Sequence, residues 1–359
     1  MEDAVREAIG AVVEPQFDRT LADLGAITEV AVSDGTARVT VALADPHYPY
    51  EERLGAAIDA AAGTVEGIDS ASVRFEVLDD DGADALMARL RPEKKLAGGP
   101  GSRTRVITIT SGKGGVGKSS VAANLAVTLA GRGKSVGLID ADVYGFSIPR
   151  MLGVLTPPAV IGGSLIAPQG YGVRVMSMDY FVQPDQAVIW RGPMLHKALE
   201  QFLTDVFWDE PEYLLIDTPP GTGDVAISLS QFLPRAEVLV VTTPQSTAQR
   251  VAKKAALMAE KVNQDVIGVV ENMSWFTGDD GTRYPLFGSG GGAQLAEELG
   301  IPLMGQIPLV PAMRAGADQG IPVAVAAPGS EADTAFDEFA AAIEATTPRV
   351  RTHPELIIK

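Results

Sequence analysis

The chain has 359 residues, of which 46% are apolar, and its formal net charge is −17. That length allows about two domains with separate cores. It contains no apolar run of about 18 residues, so we expect no membrane span, and a net negative charge of this size repels both the DNA backbone and anionic lipid. The amino terminus lacks the basic-then-apolar pattern of a secretory signal. We therefore expect a cytoplasmic protein that binds neither nucleic acid nor membrane.

The sequence contains no cysteine and only three histidines, His47, His196 and His353. Because the sequence has no thiol, it can form no disulfide, no thiolate zinc site and no thiolate-ligated iron–sulfur cluster. The histidines are far apart and match no metal-ligand spacing. We interpret them as unrelated single residues.

Residues 1–80 are predicted to form a small α/β domain. Positions 2–12 suit a helix, and an Asp34-Gly35 hairpin signal lies between two strand-like runs. The other predicted elements are the strands Ile27–Ser33, Ala37–Leu43 and Ala71–Leu78 and the helix Tyr50–Gly63. Residues 81–103 begin acidic, pass through a short helical piece and end in Gly, Pro and Ser, which indicates a linker.

Residues 104–348 are predicted to form a second α/β domain, followed by a loose tail at 349–359. Short apolar strands alternate with helices, which indicates a mostly parallel, doubly wound sheet with helices on both faces. The predicted strands are Val106–Thr110, Ser135–Ile139, Val173–Met178, Tyr213–Ile216, Val238–Thr242, Val266–Val270 and Leu303–Ile307. The predicted helices are Lys118–Ala130, Met194–Val206, Val225–Phe232, Ala248–Val262, Gly291–Leu299 and Ala332–Thr346.

The segment after the first of these strands reads GKGGVGKSS, from Gly112 to Ser120. A glycine-rich loop between a strand and a helix is the setting of a P-loop, in which backbone N–H groups surround phosphate. Lys118 is placed to reach the β- and γ-phosphates, and Ser119 to place its hydroxyl on Mg²⁺. The predicted nucleotide-binding set is Gly112, Lys113, Gly114, Gly115, Val116, Gly117, Lys118, Ser119 and Ser120.

Lys113 is unusual because the middle of a phosphate loop is normally small and neutral. A cation there does not easily bend back onto its own loop. It can instead cross a subunit interface and neutralise charge on the partner's nucleotide, as an arginine finger supplied in trans does. The alternative is a solvated loop lysine.

Carboxylates follow two later strands, at the edge where an open α/β sheet binds its ligand. Asp217 in IDTPPGTGD suits a Walker B acid that holds Mg²⁺ through water, and Asp224 ends the same loop. Asp140 and Asp142 follow another strand; either one can orient the attacking water, and Asp142 is the preferred candidate. Taken singly, each is also typical of a turn or a helix cap.

These residues together resemble a known family. KGGVGKSS, with its upstream lysine, resembles the deviant Walker A motif of the division-and-partition ATPase superfamily. IDADVYGFSIPRMLG, WRGPMLHKALEQFL, IDTPPGTGD, VTTPQ and ENMS follow in that order and resemble the Mrp branch, the ApbC-type iron–sulfur cluster carriers. The match covers roughly residues 104–346. Residues 1–80 resemble the small α/β domain that precedes many Mrp proteins and occurs in other iron–sulfur assembly factors.

The resemblance implies a homodimer that binds ATP and Mg²⁺ near its interface. Lys113 would act in trans and Lys118 on the nucleotide. Asp142 would have the switch I role, and Asp217 with Asp224 the switch II role. Asp140 is a further predicted switch residue. Asn272 in ENMS would contact adenine, since its amide offers the donor and the acceptor that an adenine edge requires.

The sequence departs from the family at its cluster ligands. Relatives carry a Cys-x-x-Cys pair shortly after ENMS, where this chain has Gly278 and Gly281, and often a cysteine in the front domain near the position of Tyr48. Thiolate ligation by this chain alone is therefore excluded, and binding through His or carboxylate would be unusual.

The preferred function is a slow ATP hydrolase that assists iron–sulfur protein maturation, acting on cysteine-bearing scaffold or client proteins. One alternative is a positioning or partition-type ATPase. That class needs a basic DNA-binding face or an amphipathic anchor, and the charge and the Pro354-containing tail disfavour both. The other alternative is a nucleotide-switched adaptor with little turnover.

Overall fold

A computed structural model describes residues 1–91, 93–142, 145–182, 192–221 and 224–347. The described chain divides into two compact units. Unit 1 comprises Met1–Lys94, Pro158–Pro168 and Asp205–Phe207, and unit 2 the remaining described residues from Lys95 onward. The predicted tail and His353 lie outside the described residues. No helix in the described ranges has both the length and the apolar character needed to cross a membrane.

The first part of unit 1 contains four helices and five strands. In chain order these are α1 Glu2–Gly10, β1 Val13–Glu14, β2 Arg19–Thr20, α2 Leu21–Leu24, β3 Ile27–Ser33, β4 Thr36–Leu43, α3 Glu51–Ala62, β5 Ser70–Val77 and α4 Asp80–Leu90. β3 and β4 pair antiparallel and β4 and β5 parallel. α1 packs on β3 and α3 on β5. The predicted order of helix, two strands, helix and strand is confirmed.

The β3–β4 connection has the geometry that its sequence predicts. Ser33 pairs with Thr36, so the loop is the two residues Asp34 and Gly35. Both have positive φ, 49° and 73°. Two left-handed residues match the right-handed twist of the flanking strands, and Asp-Gly adopts this conformation at low cost.

The rest of the chain contributes the other elements. In order these are β6 Arg105–Ser111, α5 Lys118–Gly131, β7 Val136–Asp140, α6 Ile148–Met151, β8 Ala159–Ile161, β9 Ser164–Ile166, β10 Gln169–Gly170, β11 Val173–Ser177, α7 Gly192–Thr204, β12 Tyr213–Asp217, α8 Asp224–Phe232, β13 Glu237–Thr242, α9 Ser246–Lys261, β14 Asp265–Asn272, β15 Phe276–Thr277, β16 Arg283–Tyr284, α10 Gly291–Leu299, β17 Leu303–Ile307, α11 Pro311–Gln319, α12 Val323–Ala326 and α13 Glu331–Ala345.

Unit 2 is built on an eight-stranded sheet in the order β10-β11-β7-β12-β6-β13-β14-β17. β10 is antiparallel to its neighbour, and the other pairs are parallel. Side chains alternate between two apolar layers: Leu239 and Val241 pack with α5, whereas Val238 and Val240 pack with α9 and α10. The predicted mostly parallel sheet with helices on both faces is confirmed. All seven predicted strands belong to it.

Two features of unit 1 differ from the predicted boundaries. α4 occupies the first half of the predicted linker, and its Met87 is buried in the unit 1 core. The β8–β9 hairpin and residues 205–207 lie within the predicted second domain, yet they pack in unit 1 through Ile161, Ile166 and Phe207. Strands of three residues carry too little periodicity to reveal this excursion in the sequence.

Tyr48 is part of the unit 1 core. Its hydroxyl donates a short hydrogen bond to Glu14, a carboxylate only 2% exposed that also accepts from the backbone N–H groups of Gln16 and Phe17. Burial, together with the Glu14 charge, raises the pKa of Tyr48 above its usual range, so the group stays a neutral phenol. Tyr48 therefore forms a structural hydrogen bond inside the core of unit 1.

Tyr48→Phe is expected to destabilise unit 1 by about 1–3 kcal/mol, because a buried carboxylate loses a donor. Tyr284→Phe is the matched control, since Tyr284 also donates to a carboxylate, that of Asp280, but is 42% exposed. It should change stability by less than about 0.5 kcal/mol. Hydrogen exchange in denaturant, measured on the full chain, checks the two values: unit 1 amides report on Tyr48→Phe and unit 2 amides on Tyr284→Phe. Equal effects of the two substitutions would contradict the structural role of Tyr48.

Candidate nucleotide-binding site

The loop between β6 and α5 follows the predicted strand–loop–helix arrangement. Gly115 and Gly117 have φ of 80° and 77°, which a side chain would strain. A Cβ on Gly112 would lie 2.2 Å from the backbone carbon of Val251. Val116 is buried and anchors the middle of the loop. The glycines thus serve both to shape the loop and to allow α9 to pass close beneath it.

The loop borders an open cleft of about 190 Å³. Ser111 and residues 113–120 line one side, and the other lining residues are Asp142, Ser147, Met151 and Pro220. Gly221 N–H donates to Ser111 O at 2.8 Å, which holds the chain after β12 beside the loop. Every predicted phosphate-loop residue except Gly112 lines this cleft. Met151 and Ser147 were not predicted, and only their place after Asp142 in the sequence hints at them.

Lys118, Ser119 and Asp217 meet at the sheet edge. β12 lies beside β6 in the sheet, so Asp217 ends next to the start of α5. The Lys118 ammonium donates a short hydrogen bond to Asp217 Oδ1, and Ser119 Oγ donates to Oδ2 at 2.5 Å. Lys118 is 6% exposed and Asp217 fully buried. Burial raises the pKa of Asp217, and the Lys118 charge opposes that rise.

The donor set fits Mg²⁺. The Ser119 hydroxyl and the Asp217 carboxylate are two adjacent oxygen donors, as this ion prefers. No group of three or more His, Cys, Asp or Glu side chains capable of holding a metal occurs among the described residues. A site with few protein ligands suits Mg²⁺, which keeps waters and takes phosphate oxygens as further ligands.

Asp140 holds the chain that follows β7. Its carboxylate is fully buried and accepts hydrogen bonds from the N–H groups of Asp142, Ser147 and Ile148 and from Ser177 Oγ, at 3.1–3.3 Å. Burial and the nearby Asp217 charge raise the pKa of Asp140 to about 7, against the effect of these donors. It does not line the cleft, whereas Asp142 does.

Lys113 also lines the cleft, and no described residue forms an ion pair with its ammonium. Its backbone carbonyl accepts a hydrogen bond from Ser111 Oγ at 3.0 Å, which holds the backbone at this position. The side chain of Asp224 lies outside what the structure describes. Its predicted switch role stays a prediction.

Asn272 lies against the loop rather than in the open cleft. Its Nδ2 donates to Val116 O at 2.9 Å, and the residue is 3% exposed. A Cβ on Gly117 would approach Nδ2 to 2.3 Å. The amide therefore braces the phosphate loop, a contact that the sequence did not predict. The predicted adenine contact stays a prediction.

Gly278 and Gly281 lie in the β15–β16 hairpin, which is closed by polar contacts. Gly278 N–H donates to Thr282 O, and Gly281 N–H to Gly278 O, at 3.0 and 2.9 Å. Glu331 accepts hydrogen bonds from Trp275 Nε1, Thr277 Oγ1 and Arg283 Nη2. The position of the relatives' cysteine pair is thus a tight turn here.

The structure describes two of the three histidines, His47 and His196. His196 lies in unit 2, where Nδ1 is 3.0 Å from Ser228 Oγ and the ring packs on Phe232. His47 lies in the first part of unit 1, where its backbone N–H donates to Asp45.

Two family profiles match the chain. The family described as NUBPL iron-transfer P-loop NTPase matches residues 102–344, and the iron–sulfur cluster assembly protein family matches residues 2–75. Iron–sulfur cluster carrier proteins are similar over most of the chain. The protein of Mycobacterium tuberculosis is 42% identical over 91% of this chain and 89% of its own length, and that of Deinococcus radiodurans 41% identical over 99% and 98%.

Solved structures resemble about two thirds of the chain. A nucleotide-binding protein of Archaeoglobus fulgidus in complex with ADP is 38% identical, with a TM-score of 0.53 over 60% of this chain and 86% of that chain. The cell-division ATPase MinD of Pyrococcus furiosus is 28% identical, with a TM-score of 0.52 over 67% and 98%. The phosphate loop, the acids at the sheet edge and these similarities agree: the chain belongs to the iron-transfer P-loop NTPase family of iron–sulfur cluster carrier proteins.

Proposed function

We propose that this protein is a homodimeric ATPase that assists iron–sulfur protein maturation without ligating the cluster through its own thiols. The observation that carries the proposal is the convergence of Lys118, Ser119 and Asp217 beside a glycine-rich loop. The similarity to cluster carriers over nine-tenths of the chain supports the iron–sulfur role. The ADP bound to the Archaeoglobus relative supports the nucleotide.

In this proposal the loop N–H groups and the α5 N-terminus bind the phosphates. The Lys118 ammonium gives up its hydrogen bond to Asp217 and donates to phosphate oxygens instead. Ser119 and, through water, Asp217 would hold Mg²⁺, which when bound neutralises charge on the phosphates. Asp142, at the rim of the cleft, orients the attacking water. Asp140 acts indirectly: the four hydrogen bonds that it accepts hold the chain that carries Asp142 in position.

The cluster is cargo in this proposal. The 359 residues contain no cysteine, and the hairpin at Gly278 and Gly281 is closed by hydrogen bonds. Cysteine ligands would therefore come from a scaffold or client protein, and nucleotide turnover would time its binding and release.

Replacement of the protein in cells by its Lys118→Ala variant tests the maturation role. Iron–sulfur enzyme activities should fall, while Lys134→Ala, which removes a lysine paired with Glu212 at the opposite sheet edge, should leave them unchanged. Normal iron–sulfur enzyme activities with Lys118→Ala would refute this role. ATP-dependent sedimentation with liposomes or DNA would favour a positioning ATPase, and anaerobic reconstitution with stoichiometric, stable iron would overturn the cargo interpretation.

Asp142→Ala and Lys118→Ala should separate binding from turnover. Lys118→Ala should weaken ATP binding because the phosphates lose a buried cation. Asp142→Ala should retain ATP binding while turnover falls about 100-fold or more, because only the water loses its partner. Calorimetric titration and phosphate release measure the two quantities. Equal, near-zero turnover by wild type and Asp142→Ala would instead identify a nucleotide-switched adaptor.

Mixing variants tests the trans role of Lys113. Lys113→Ala subunits keep Asp142, and Asp142→Ala subunits keep Lys113, so a mixed dimer contains one complete site if Lys113 acts across the interface. An equimolar mixture should recover about a quarter of wild-type turnover, since half of randomly assorted dimers are mixed. Turnover equal to the mean of the separate variants would show that Lys113 acts in its own subunit or not at all.

Asp140 predicts a pH dependence of stability. Its pKa is raised to about 7 in the folded protein, so between about pH 4 and 7 the native state binds a proton that the unfolded chain has lost. The free energy of unfolding should therefore fall as pH rises through this range. Asp140→Asn lacks the titration. Its stability relative to wild type should improve by about 2–3 kcal/mol from pH 5 to 8, measured by denaturant unfolding; parallel pH curves would contradict the assignment.

A further inference from the structure

The turn that follows β14 connects the phosphate loop to the hairpin. Glu271 and Asn272 are the last two residues of the strand and are 1% and 3% exposed. Adjacent strand residues point to opposite faces of a sheet. Their side chains accordingly bind two different parts of unit 2.

On one side the turn, at Asn272 and Met273, packs against the phosphate loop. Asn272 donates to Val116 O, and Gly117 leaves just enough room for the amide. The Met273 Cε lies 3.5 Å from the position of a Cβ on Gly117. Two consecutive side chains thus lie against the last residues before α5.

Met273 has a backbone conformation that is strained for its residue type. Its φ is 57°, in the left-handed region where a residue with a long side chain is rarely found. Such a conformation persists when the surrounding contacts hold it, and it is common at functional sites. The contacts that hold this turn therefore matter for the loop it touches.

Glu271 supplies those contacts. Oε1 accepts from Ser274 Oγ and Gln306 Nε2, both at 2.9 Å, and Oε2 from Gly292 N–H at 2.5 Å. Ser274 also donates to the Glu271 backbone carbonyl, which closes the turn around Met273. Gly292 is in the first turn of the nine-residue α10, where a carboxylate is favoured by the helix dipole.

The hairpin begins where this turn ends. Ser274 N–H donates to Ile307 O, and the next residue, Trp275, is bound to Glu331 and covered by the Arg283 guanidinium 4.3 Å from its ring. The turn therefore contacts Val116 and Gly117 on one side and continues directly into the hairpin 275–284 on the other.

We propose that Glu271 is a positioning residue that, through the strained turn at Met273, couples the phosphate loop to the hairpin 275–284. The coupling gives a route by which nucleotide state changes the surface that replaces the relatives' cysteine pair. This second statement rests on the proposed nucleotide function, whereas the mechanical coupling does not. Coupling between two sites is reciprocal, so each can be perturbed and the other observed.

Hydrogen exchange of the nucleotide-free full chain tests the coupling. Glu271→Gln keeps the size of the side chain but places an amide NH₂ group, a donor, against the hydrogen-bond donors that the carboxylate accepts from. Amide hydrogen exchange at residues 112–117 and 275–284 should therefore rise together by about tenfold or more. Glu237→Gln is the matched control, a buried carboxylate paired with Arg105 at the opposite sheet edge. It should change neither segment relative to β12. A rise confined to the contacts of Glu271, with the phosphate loop unchanged, would overturn the proposal.

Asn272→Ala provides the reverse experiment. Loss of the hydrogen bond from the Asn272 amide to Val116 should raise exchange of the hairpin, although that hydrogen bond is made to the phosphate loop and not to the hairpin. An unchanged hairpin would mean that Glu271 merely stabilises the fold locally. ADP titration separates the coupling proposal from the proposed nucleotide function. Glu271→Gln should bind ADP about tenfold more weakly than wild type. If wild type did not bind ADP, the nucleotide function would be refuted, whereas the exchange result would still stand.

Discussion

The buried pair of Lys118 and Asp217 is the interaction around which the site is organised. Two charges removed from water are tolerated only when each completes the other's hydrogen bonding. The sheet order meets this requirement by placing β12 between β6 and β7, so that the acid ends beside the first turn of α5. Backbone bonds from Thr218 to Ile109 and from Ala141 to Asp217 then fix the three strand ends to one another.

The same pair makes the site responsive to an anion. Lys118 occupies the low-dielectric edge of the cleft with a protein carboxylate as its partner. A phosphate that formed an ion pair with Lys118 would leave the Asp217 carboxylate without its positive partner. A divalent cation beside the Ser119 hydroxyl would then neutralise that carboxylate. In the proposed function, the electrostatics of this one buried carboxylate would link the binding of nucleotide to the binding of the metal.

The hairpin after β14 contains Gly278 and Gly281, the two positions at which the family resemblance predicts that a cysteine pair is replaced. At this hairpin the Glu331 carboxylate accepts hydrogen bonds from three side chains: the Trp275 indole, the Thr277 hydroxyl and the Arg283 guanidinium. Arg283 over Trp275 adds a cation–π contact. The segment is therefore a hairpin held in place by polar contacts within the chain.

Strands and the phosphate loop were predictable from the sequence because their signals are local. Buried parallel strands are continuous apolar runs, and a loop that approaches phosphate requires glycine. Asp217 was predictable as a candidate because it ends such a strand. The partners of Asp140 and Asn272 were not, because hydrogen bonds to Ser147, Ser177 and Val116 join residues 7, 37 and 156 positions away.

The sequence alone determined the fold class, the family, the nucleotide loop and the absence of thiolate ligands, since each follows from residue type at fixed spacing. Only the tertiary structure decided that Asp140 supports the chain rather than lining the cleft, that Asn272 braces Val116, and that the β8–β9 hairpin packs in unit 1. The physical reason is that these outcomes depend on which buried polar and apolar groups meet across strand crossovers, and short-range patterns do not specify such meetings. GKGGVGKS therefore indicated the chemistry, and the sheet order selected the residues that hold it in place.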